Sequence, residues 1–226
     1  MYTAVKQTET WKKIRVIRRN VCPGIKCGIS SQFGGSAFAE IRDGGLQKIV
    51  DVLVSTGLLL QPKSHKNQKI VAIDVGSGLG KFLFFLASTC LELKLKTRLE
   101  LRGIEINASS FQQAVATSEA VKTLFPNNYI FQFSNGDAQQ MENSFLDDVH
   151  IMYAFNRAVP REVFRHVCAV CNASSCLKII FSSLDLHQLG LNAQKFQMAG
   201  EKIKVVAEGG NTSSVIRVYF RYSEVP

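Results

Sequence analysis

The fold prediction depends mainly on residues 70–80, which read Ile70-Val-Ala-Ile-Asp74-Val-Gly-Ser-Gly-Leu-Gly80. Its first half is an uninterrupted apolar run ending at Asp74, which is typical of a strand buried on both faces of a parallel sheet. Glycines then occupy alternate positions, and such a turn lets the backbone approach a ligand closely before a helix begins at Lys81. Because ligands of open α/β sheets lie at the carboxyl ends of the strands, this turn is the predicted binding site.

The glycine spacing distinguishes this turn from two loops that bind phosphate groups. A dinucleotide-binding fingerprint reads G-x-G-x-x-G, whereas here the third glycine comes at 80 and residue 81 is Lys. The pattern G-x-x-x-x-G-K-[ST] of the phosphate loop does not occur here either. The turn therefore matches neither loop, and the helix start that follows it favours a carboxylate on the ligand.

Strands and helices alternate along the chain from this turn onward. Apolar runs and periodicity predict strands at 99–105, 129–133, 149–153 and 177–181, and helices at 81–92, 108–125 and 160–171. Two alternating stretches, 202–208 and 215–222, are typical of an antiparallel hairpin around Gly209-Gly-Asn-Thr. The predicted fold class is therefore α/β, with a doubly wound, mostly parallel, seven-stranded sheet that ends in an antiparallel hairpin.

The first part of the chain is expected to be a basic N-terminal extension at 1–66, followed by a core domain at 67–226. The segment from Trp11 to Arg19 alternates basic and apolar residues and fits either a strand or a short helix. Residues 22–35 are rich in Gly, Ser and Cys and are predicted to be a loop. A helix is expected from Asp43 to about Ser55, with Gly57 ending it and with one apolar face made of Leu46, Ile49, Val50 and Leu53.

The composition favours a folded chain with an acidic partner. Hydrophobic residues make up 46% of the 226 residues, and the formal net charge is +9. An excess of positive charge favours nucleic acid, or a protein bound to nucleic acid, as the partner, although a basic enzyme surface explains it as well. The longest apolar run, 82–87, is too short to span a bilayer, so no membrane contact is expected.

The six cysteines do not form the pattern of a disulfide framework. Cys168 and Cys171 have the C-x-x-C spacing of metal ligands, but no second pair of ligands accompanies them. We therefore expect no metal site, and both residues are predicted to pack as small hydrophobic side chains on one helix face. Reduced thiols and the lack of a secretory leader favour the nucleus, or alternatively the cytoplasm.

Two further carboxylates follow strands of the predicted sheet. Glu105 ends the second strand, where a carboxylate can accept both hydrogen bonds from an adenosine ribose. Asp137 follows the third strand, where its side chain can accept the adenine amino group. Each residue alone is equally well explained as an ordinary polar residue at a strand end. Three acidic strand ends in order, the first with the glycine turn, together favour a nucleoside-containing cofactor.

On these residues the stretch from Lys69 to Tyr222 resembles the class I S-adenosylmethionine-dependent methyltransferases. The resemblance implies a Rossmann-like methyltransferase fold, with S-adenosylmethionine as the cofactor. It assigns the first motif to the glycine turn, the ribose to Glu105 and the adenine edge to Asp137. The implied cofactor-binding residues in this part of the chain are Asp74, Gly76, Ser77, Gly78, Gly80, Glu105, Asp137 and Ala138.

A narrower resemblance is to the disruptor-of-telomeric-silencing family, the non-SET histone lysine methyltransferases. Asp74-Val-Gly-Ser-Gly-Leu-Gly80 is similar to the D-L-G-S-G-V-G of that family, and Phe38-Ala-Glu40 resembles its Y-G-E loop. The segment His150-Ile-Met-Tyr-Ala-Phe-Asn156 resembles its fourth strand. Phe38 and Ala39 depart from the Tyr and Gly of the family, and Ala138 stands where an aromatic residue usually covers adenine. The resemblance adds Glu40 to the implied cofactor-binding residues.

Methyl transfer to a lysine requires a neutral amine aligned with an electrophilic methyl group. An apolar, aromatic-lined channel lowers the pKa of a lysine by desolvation. Phe38, Tyr153 and Phe155 are predicted to line such a channel, and Asn156 to orient the amine or the cofactor, although packing in the core explains the aromatic residues equally well. The predicted function is therefore methyl transfer to a histone lysine within chromatin, with a histone or nucleosome as the partner.

Two other functions are compatible with the same cofactor motif. An RNA methyltransferase is the main alternative, although the fourth strand continues as Phe155-Asn-Arg-Ala-Val-Pro160, without the N-P-P-[YF] or Pro-Cys of enzymes that methylate bases. A cofactor-binding interaction module without catalysis is the further alternative. The basic N-terminal arm is predicted to contact nucleic-acid phosphates in either enzyme, through Lys12, Lys13, Arg15, Arg18 and Arg19.

Overall fold

The computed structural model describes residues 8–22, 40–59, 69–95, 97–155, 159–208 and 213–222. The helices are α1 (Glu9–Val21), α2 (Asp43–Ser55), α3 (Lys81–Glu92), α4 (Ala108–Val121) and α5 (Arg161–Ala173). The strands are β1 (Lys69–Val75), β2 (Arg98–Glu105), β3 (Tyr129–Asn135), β4 (Ile151–Ala154), β5 (Ile179–Ser182), β6 (Phe196–Met198), β7 (Ile203–Val206) and β8 (Ser213–Arg221).

The strands form one mostly parallel sheet in the order β3-β2-β1-β4-β5-β8-β6. β1 to β5 run parallel, and β8 lies antiparallel beside β5. β6 and β7 both pair antiparallel with β8, one after the other, so they share the outermost position of the sheet. The predicted fold class is confirmed, and the strand predicted at 202–208 is found as β7, with β6 as an additional short strand before it. β6 was not predicted, because three residues are too few to show the alternation of apolar and polar residues that indicates a strand.

The two faces of the sheet are covered unequally. One face carries α1, α2, α3 and α4, whose apolar residues form one buried cluster with the strands. The other face carries α5 and short 3-10 helices, including Ala138–Gln140 and Asn143–Leu146. The layers place the carboxyl ends of β1 to β5 at one edge, where the glycine turn lies.

The basic segment near the N-terminus folds as helix α1. The Thr8 hydroxyl accepts a hydrogen bond from the Trp11 N–H at 2.9 Å and so caps the helix start. Trp11 and Ile14 stand one turn apart and are fully buried. Trp11 packs edge-on against Phe85 of α3, with ring centroids 5.1 Å apart. α1 therefore contributes to the same hydrophobic core as the sheet, and the predicted domain boundary at 66–67 lies outside the described residues.

The predicted buried faces of two helices, α2 and α5, are confirmed. α2 spans Asp43–Ser55, and its predicted apolar side chains are all buried. Cys168 and Cys171 lie on the buried side of α5, and burial raises the pKa of the Cys168 thiol to about 12. Within the described part of the chain, no group of His, Cys, Asp and Glu residues has the arrangement of a metal site. None of the described helices is long and apolar enough to cross a membrane.

Candidate functional site

The glycine turn after β1 requires glycine at each of its three alternate positions. Gly76, Gly78 and Gly80 have φ values of 74°, 53° and 72°, a left-handed conformation that side chains with a Cβ rarely adopt. The backbone N–H groups of Gly76 and Ser77 both donate to the Ile104 carbonyl, at 2.9 and 3.0 Å. The turn is therefore tied to the end of β2 before α3 begins.

Gly103 lets the turn lie directly on β2, and the sequence did not reveal this role. A Cβ atom at Gly103 would come within 2.5 Å of the Phe133 ring and 2.7 Å of the Ser77 hydroxyl. The Ser77 Oγ atom is buried and finds no hydrogen-bond partner among the described residues.

Glu105 is the carboxylate that joins the turn to the second strand. Its Oε2 atom accepts a hydrogen bond from the Gly78 N–H at 2.8 Å, and its Oε1 atom accepts one from the Asn107 N–H at 2.7 Å. Each carboxylate oxygen has two lone pairs, so both oxygens keep acceptor capacity for a vicinal diol. The two backbone bonds hold the carboxylate in one orientation, as recognition of a ribose requires.

Asp74 lies at the end of β1 in a strongly negative environment. It is 4% exposed, and burial raises the pKa of its carboxyl group well above the usual value. The negative charges of Glu105 and Glu40 raise this pKa further. Three of the predicted cofactor-binding residues are thus brought into electrostatic contact. Because Arg18 offsets the charge of Glu40, the negative charge next to Asp74 comes mainly from Glu105. This fits a cationic ligand, whose arrival would favour the ionised form of Asp74.

Glu40 is held at the site by helix α1 and by the segment that follows β7. Arg18 of α1 donates a hydrogen bond to its carboxylate at 2.5 Å, and both side chains are largely buried. The Glu40 carbonyl accepts from the Glu208 N–H at 2.7 Å, and the next residue, Ile41, forms an antiparallel bridge with Ala207. Segment 40–42 therefore continues the sheet beyond β7 and carries Glu40 to the carboxyl edge.

Buried Lys81, in the first turn of α3, stabilises the position of segment 40–42. Its ammonium group donates to the Ile41 carbonyl at 2.8 Å and is paired with Asp43 at 3.1 Å and with Glu208. The indole N–H of Trp11 donates to the same Asp43 carboxylate at 2.9 Å. This network is not predictable from the sequence, because its members are far apart in the chain.

The side of the site that is predicted to hold adenine contains the predicted residues Asp137 and Ala138 and one residue that was not predicted, Ile106. Asp137 is half-buried, and its carboxylate accepts from the Gln139 N–H at 2.8 Å, which caps the 3-10 helix that starts at Ala138. Ile106 follows Glu105 directly and is 68% exposed, which is rare for a large apolar side chain in this molecule. An exposed apolar residue beside the carboxylate that is predicted to bind a ribose is suited to cover one face of adenine.

The predicted substrate residues are only partly described. Phe38 and Asn156 lie outside the described residues. Tyr153 pairs with Asp74 across β4 and β1, is buried, and stacks on Phe82 with ring centroids 4.1 Å apart. Phe155 follows β4 and is buried as well. Their assignment to a lysine channel stays a prediction.

The basic arm is divided between the interior and the surface. Arg15 is paired with Asp43 at 3.3 Å, and Arg18 with Glu40, so both point into the molecule. The side chains of Lys12, Lys13 and Arg19 are exposed. Only these three present their charge on the outer face of α1.

Comparison with known proteins identifies the fold. No protein-family model matches the sequence, and no curated protein matches it either. Solved structures do match. A Listeria monocytogenes protein described as a class I S-adenosylmethionine-dependent methyltransferase has 12% identity and a TM-score of 0.59, over 92% of this chain and 68% of that one. The human methyltransferase 10 domain containing protein has 10% identity and a TM-score of 0.56, over 94% of this chain and 100% of that one.

The bifunctional kinase-methyltransferase WbdD is a third similar structure. It has 12% identity and a TM-score of 0.54, over 91% of this chain. The chain spans only 45% of the length of WbdD, so the likeness concerns part of that protein. At these identities the comparisons establish the fold alone, which is the Rossmann-like fold of class I methyltransferases.

Proposed function

We propose that the protein is an S-adenosylmethionine-dependent methyltransferase. The observation that carries the proposal is the position of Glu105, whose two carboxylate oxygens are fixed by the glycine turn and by the start of α4. The buried carboxyl of Asp74 and the unpartnered hydroxyl of Ser77 stand beside the same turn. Together they offer acceptors for a ribose, a negative environment for a cation, and backbone N–H groups at a helix start for a carboxylate.

Each part of S-adenosylmethionine has a counterpart among these residues. Glu105 would hold the ribose diol, and Asp137 and Ile106 would hold the adenine edge and face. The methionine portion would lie along the turn, near Asp74 and Glu40. When bound, the cofactor supplies an electrophilic methyl group, so the protein has to align the acceptor and exclude water.

A histone lysine in chromatin is the acceptor that we propose, with a location in the nucleus. The support is the resemblance of segments 38–40, 74–80 and 150–156 to the non-SET histone lysine methyltransferases, and the apolar surroundings of Tyr153 and Phe155. A lysine entering such surroundings would have a lowered pKa and so a larger neutral fraction. RNA remains the alternative acceptor, supported by the net charge of +9 and the exposed basic residues of α1.

Two measurements, made one after the other, test the proposal. Calorimetry with S-adenosylmethionine tests cofactor binding, and no binding would contradict the function. A radiolabelled methyl-transfer assay then offers nucleosomes, free histones and total RNA side by side. Label in histone lysine supports the proposed acceptor, label in RNA supports the alternative, and binding without any transfer indicates a cofactor-binding interaction module.

A further inference from the structure

A cleft lies at the carboxyl edge of the sheet, beyond the end of β5. β5 ends at Ser182, which pairs with Arg217, whereas β8 begins at Ser213 and so projects past the end of β5. The space left beside the projecting part of β8 forms the cleft. Its lining residues are Ser183, Leu184, Ser213, Ser214, Val215 and Arg217.

The projecting part of β8 has one unpaired edge. Residues 213–216 pair with β7 on one side, whereas pairing with β5 on the other side stops at Arg217. Among the described residues, no strand pairs with 213–216 on that second side. Strands direct N–H and C=O groups to both sides, so main-chain donors and acceptors face the cleft. An extended polypeptide is the ligand that such an edge binds through its backbone.

The side chains around the cleft carry unpartnered polar atoms. Four buried atoms have no hydrogen-bond partner in the described part of the chain, namely Ser183 Oγ, Asp185 Oδ1, Ser214 Oγ and Arg217 Nε. Ser214 is 7% exposed. An unsatisfied buried polar group costs about 1–3 kcal/mol. The two serine hydroxyls can turn towards the cleft by rotation about the Cα–Cβ bond, so a chain bound there would remove this cost.

The charge of Arg217, which lines the cleft, is offset by Asp185 beside the lining, and this favours a neutral ligand. Arg217 Nε lies 4.0 Å from Asp185 Oδ2, so a positive and a negative group stand together. The carboxylate disfavours a phosphate, and the guanidinium disfavours an ammonium group. Peptide groups are neutral and both donate and accept. A nucleobase does so too, but it needs an aromatic surface on which to stack, and no lining residue is aromatic.

We propose that this cleft binds an extended polypeptide segment, which adds as a short strand beside residues 213–216. Successive side chains of a strand point to opposite faces, so Ser214 and Arg217 flank the added strand from its two sides. The cleft and the cofactor turn share the carboxyl edge of the sheet. The bound segment is therefore part of the methyl acceptor, and in this respect alone the inference rests on the proposed function.

Nuclear magnetic resonance tests the strand addition directly. The probe is the blocked tetrapeptide acetyl-Ala-Gln-Thr-Ala-methylamide, and the signals are the Arg217 Nε–H and the backbone amides of residues 213–216. We expect saturable shifts with this peptide. The same peptide N-methylated at its two central residues should cause none, because it lacks the main-chain donors. Equal shifts with both peptides, or saturation by cytidine monophosphate instead, would overturn the proposal.

A double variant, Ser183→Ala with Ser214→Ala, tests the unpartnered hydroxyl groups. Peptide affinity should fall at least about fivefold, since each hydrogen bond contributes up to about tenfold. Tm should not fall, because the free protein loses no hydrogen bond. Ser175→Ala is the matched control, an exposed serine on a different loop, and should change neither quantity. A lower Tm with unchanged peptide affinity would show that the hydroxyls are structural and would overturn their assigned role.

Calorimetry with S-adenosylmethionine on the same samples separates this inference from the proposed function. Peptide binding without cofactor binding would refute the methyltransferase while the cleft stood as a peptide site. Cofactor binding without any effect of the tetrapeptide would refute the cleft and leave the methyltransferase intact. In the methyl-transfer assay, the double variant should raise KM for a polypeptide acceptor and leave KM for S-adenosylmethionine unchanged.

Discussion

The Gly78 N–H donates to the Glu105 carboxylate at 2.8 Å, so the end of β2 holds the middle of the glycine turn. One side chain therefore both shapes the turn and faces the proposed ribose position. The geometry of the turn and the recognition of the nucleoside are coupled through this bond.

Glu105→Ala is expected to weaken S-adenosylmethionine binding by about 2–3 kcal/mol, because hydrogen bonds to a charged group are lost. Calorimetry measures the change. A 2′-deoxyribose analogue should lose much less affinity in the variant than in the wild type. Equal losses in the two proteins would place the ribose away from Glu105.

Asp74→Asn is expected to stabilise the cofactor-free protein as the pH rises above 3.8, the ordinary pKa of the group. The folded carboxyl has a raised pKa and binds more protons than the unfolded one, so the wild type loses stability as the pH rises from 3.8 towards the raised value. The side chain of Asn does not titrate, so the variant does not lose this stability as the pH rises. Urea titrations at several pH values measure the difference, which should grow with pH.

The same variant should lose S-adenosylmethionine affinity by at least about tenfold, since a buried charge partner of the cationic ligand is removed. In the wild type, affinity should rise with pH until the free carboxyl is ionised. A pH-independent affinity would contradict the place given to Asp74.

Lys81→Met should lower the free energy of unfolding by about 3 kcal/mol, because it leaves Asp43 and Glu208 without their buried cation. Lys48→Met is the control, since Lys48 is exposed and donates to the Lys204 carbonyl at 3.2 Å. Its effect should stay within about 0.5 kcal/mol. Similar losses in both variants would show that the network adds nothing beyond a surface lysine.

Replacing Lys12, Lys13 and Arg19 with Gln should flatten the salt dependence of nucleosome binding by up to about 2.7 in log–log slope, at about 0.9 for each phosphate contact. Stability and S-adenosylmethionine affinity should not change. The matched variant, Arg15→Gln with Arg18→Gln, should lower stability instead, because these residues pair with Asp43 and Glu40. An unchanged slope in the triple variant would exclude this face of α1 as the contact.

The sequence predicted the parts of the fold that depend on local patterns. The boundaries of α2 and α3 agree with the predicted ones to within a residue, because apolar periodicity, an acidic first turn in α2 and the glycine turn before α3 mark them. α1 was left between strand and helix. Its helical form is decided by the Thr8 cap and by the burial of Trp11 against Phe85, and the second is a tertiary contact.

The candidate site was predictable where its residues follow strands. Asp74, Glu105 and Asp137 come at the ends of β1, β2 and β3, so the topology of a parallel sheet brings them to one edge. The roles of Arg18 and Gly103 were not predictable. Each depends on a neighbour that only the folded chain supplies, Glu40 for the first and the Ser77 hydroxyl for the second.

The division of the outermost strand into β6 and β7 bears on how the molecule avoids self-association. A long, flat, exposed strand invites another chain to pair with it, and such pairing leads to aggregation. Here that border consists of two pieces, three and four residues long, the second of which carries Lys204. The Ile41–Ala207 bridge covers the far end. The edge of the sheet is therefore interrupted, charged and partly covered, which disfavours pairing with a strand of a neighbouring molecule.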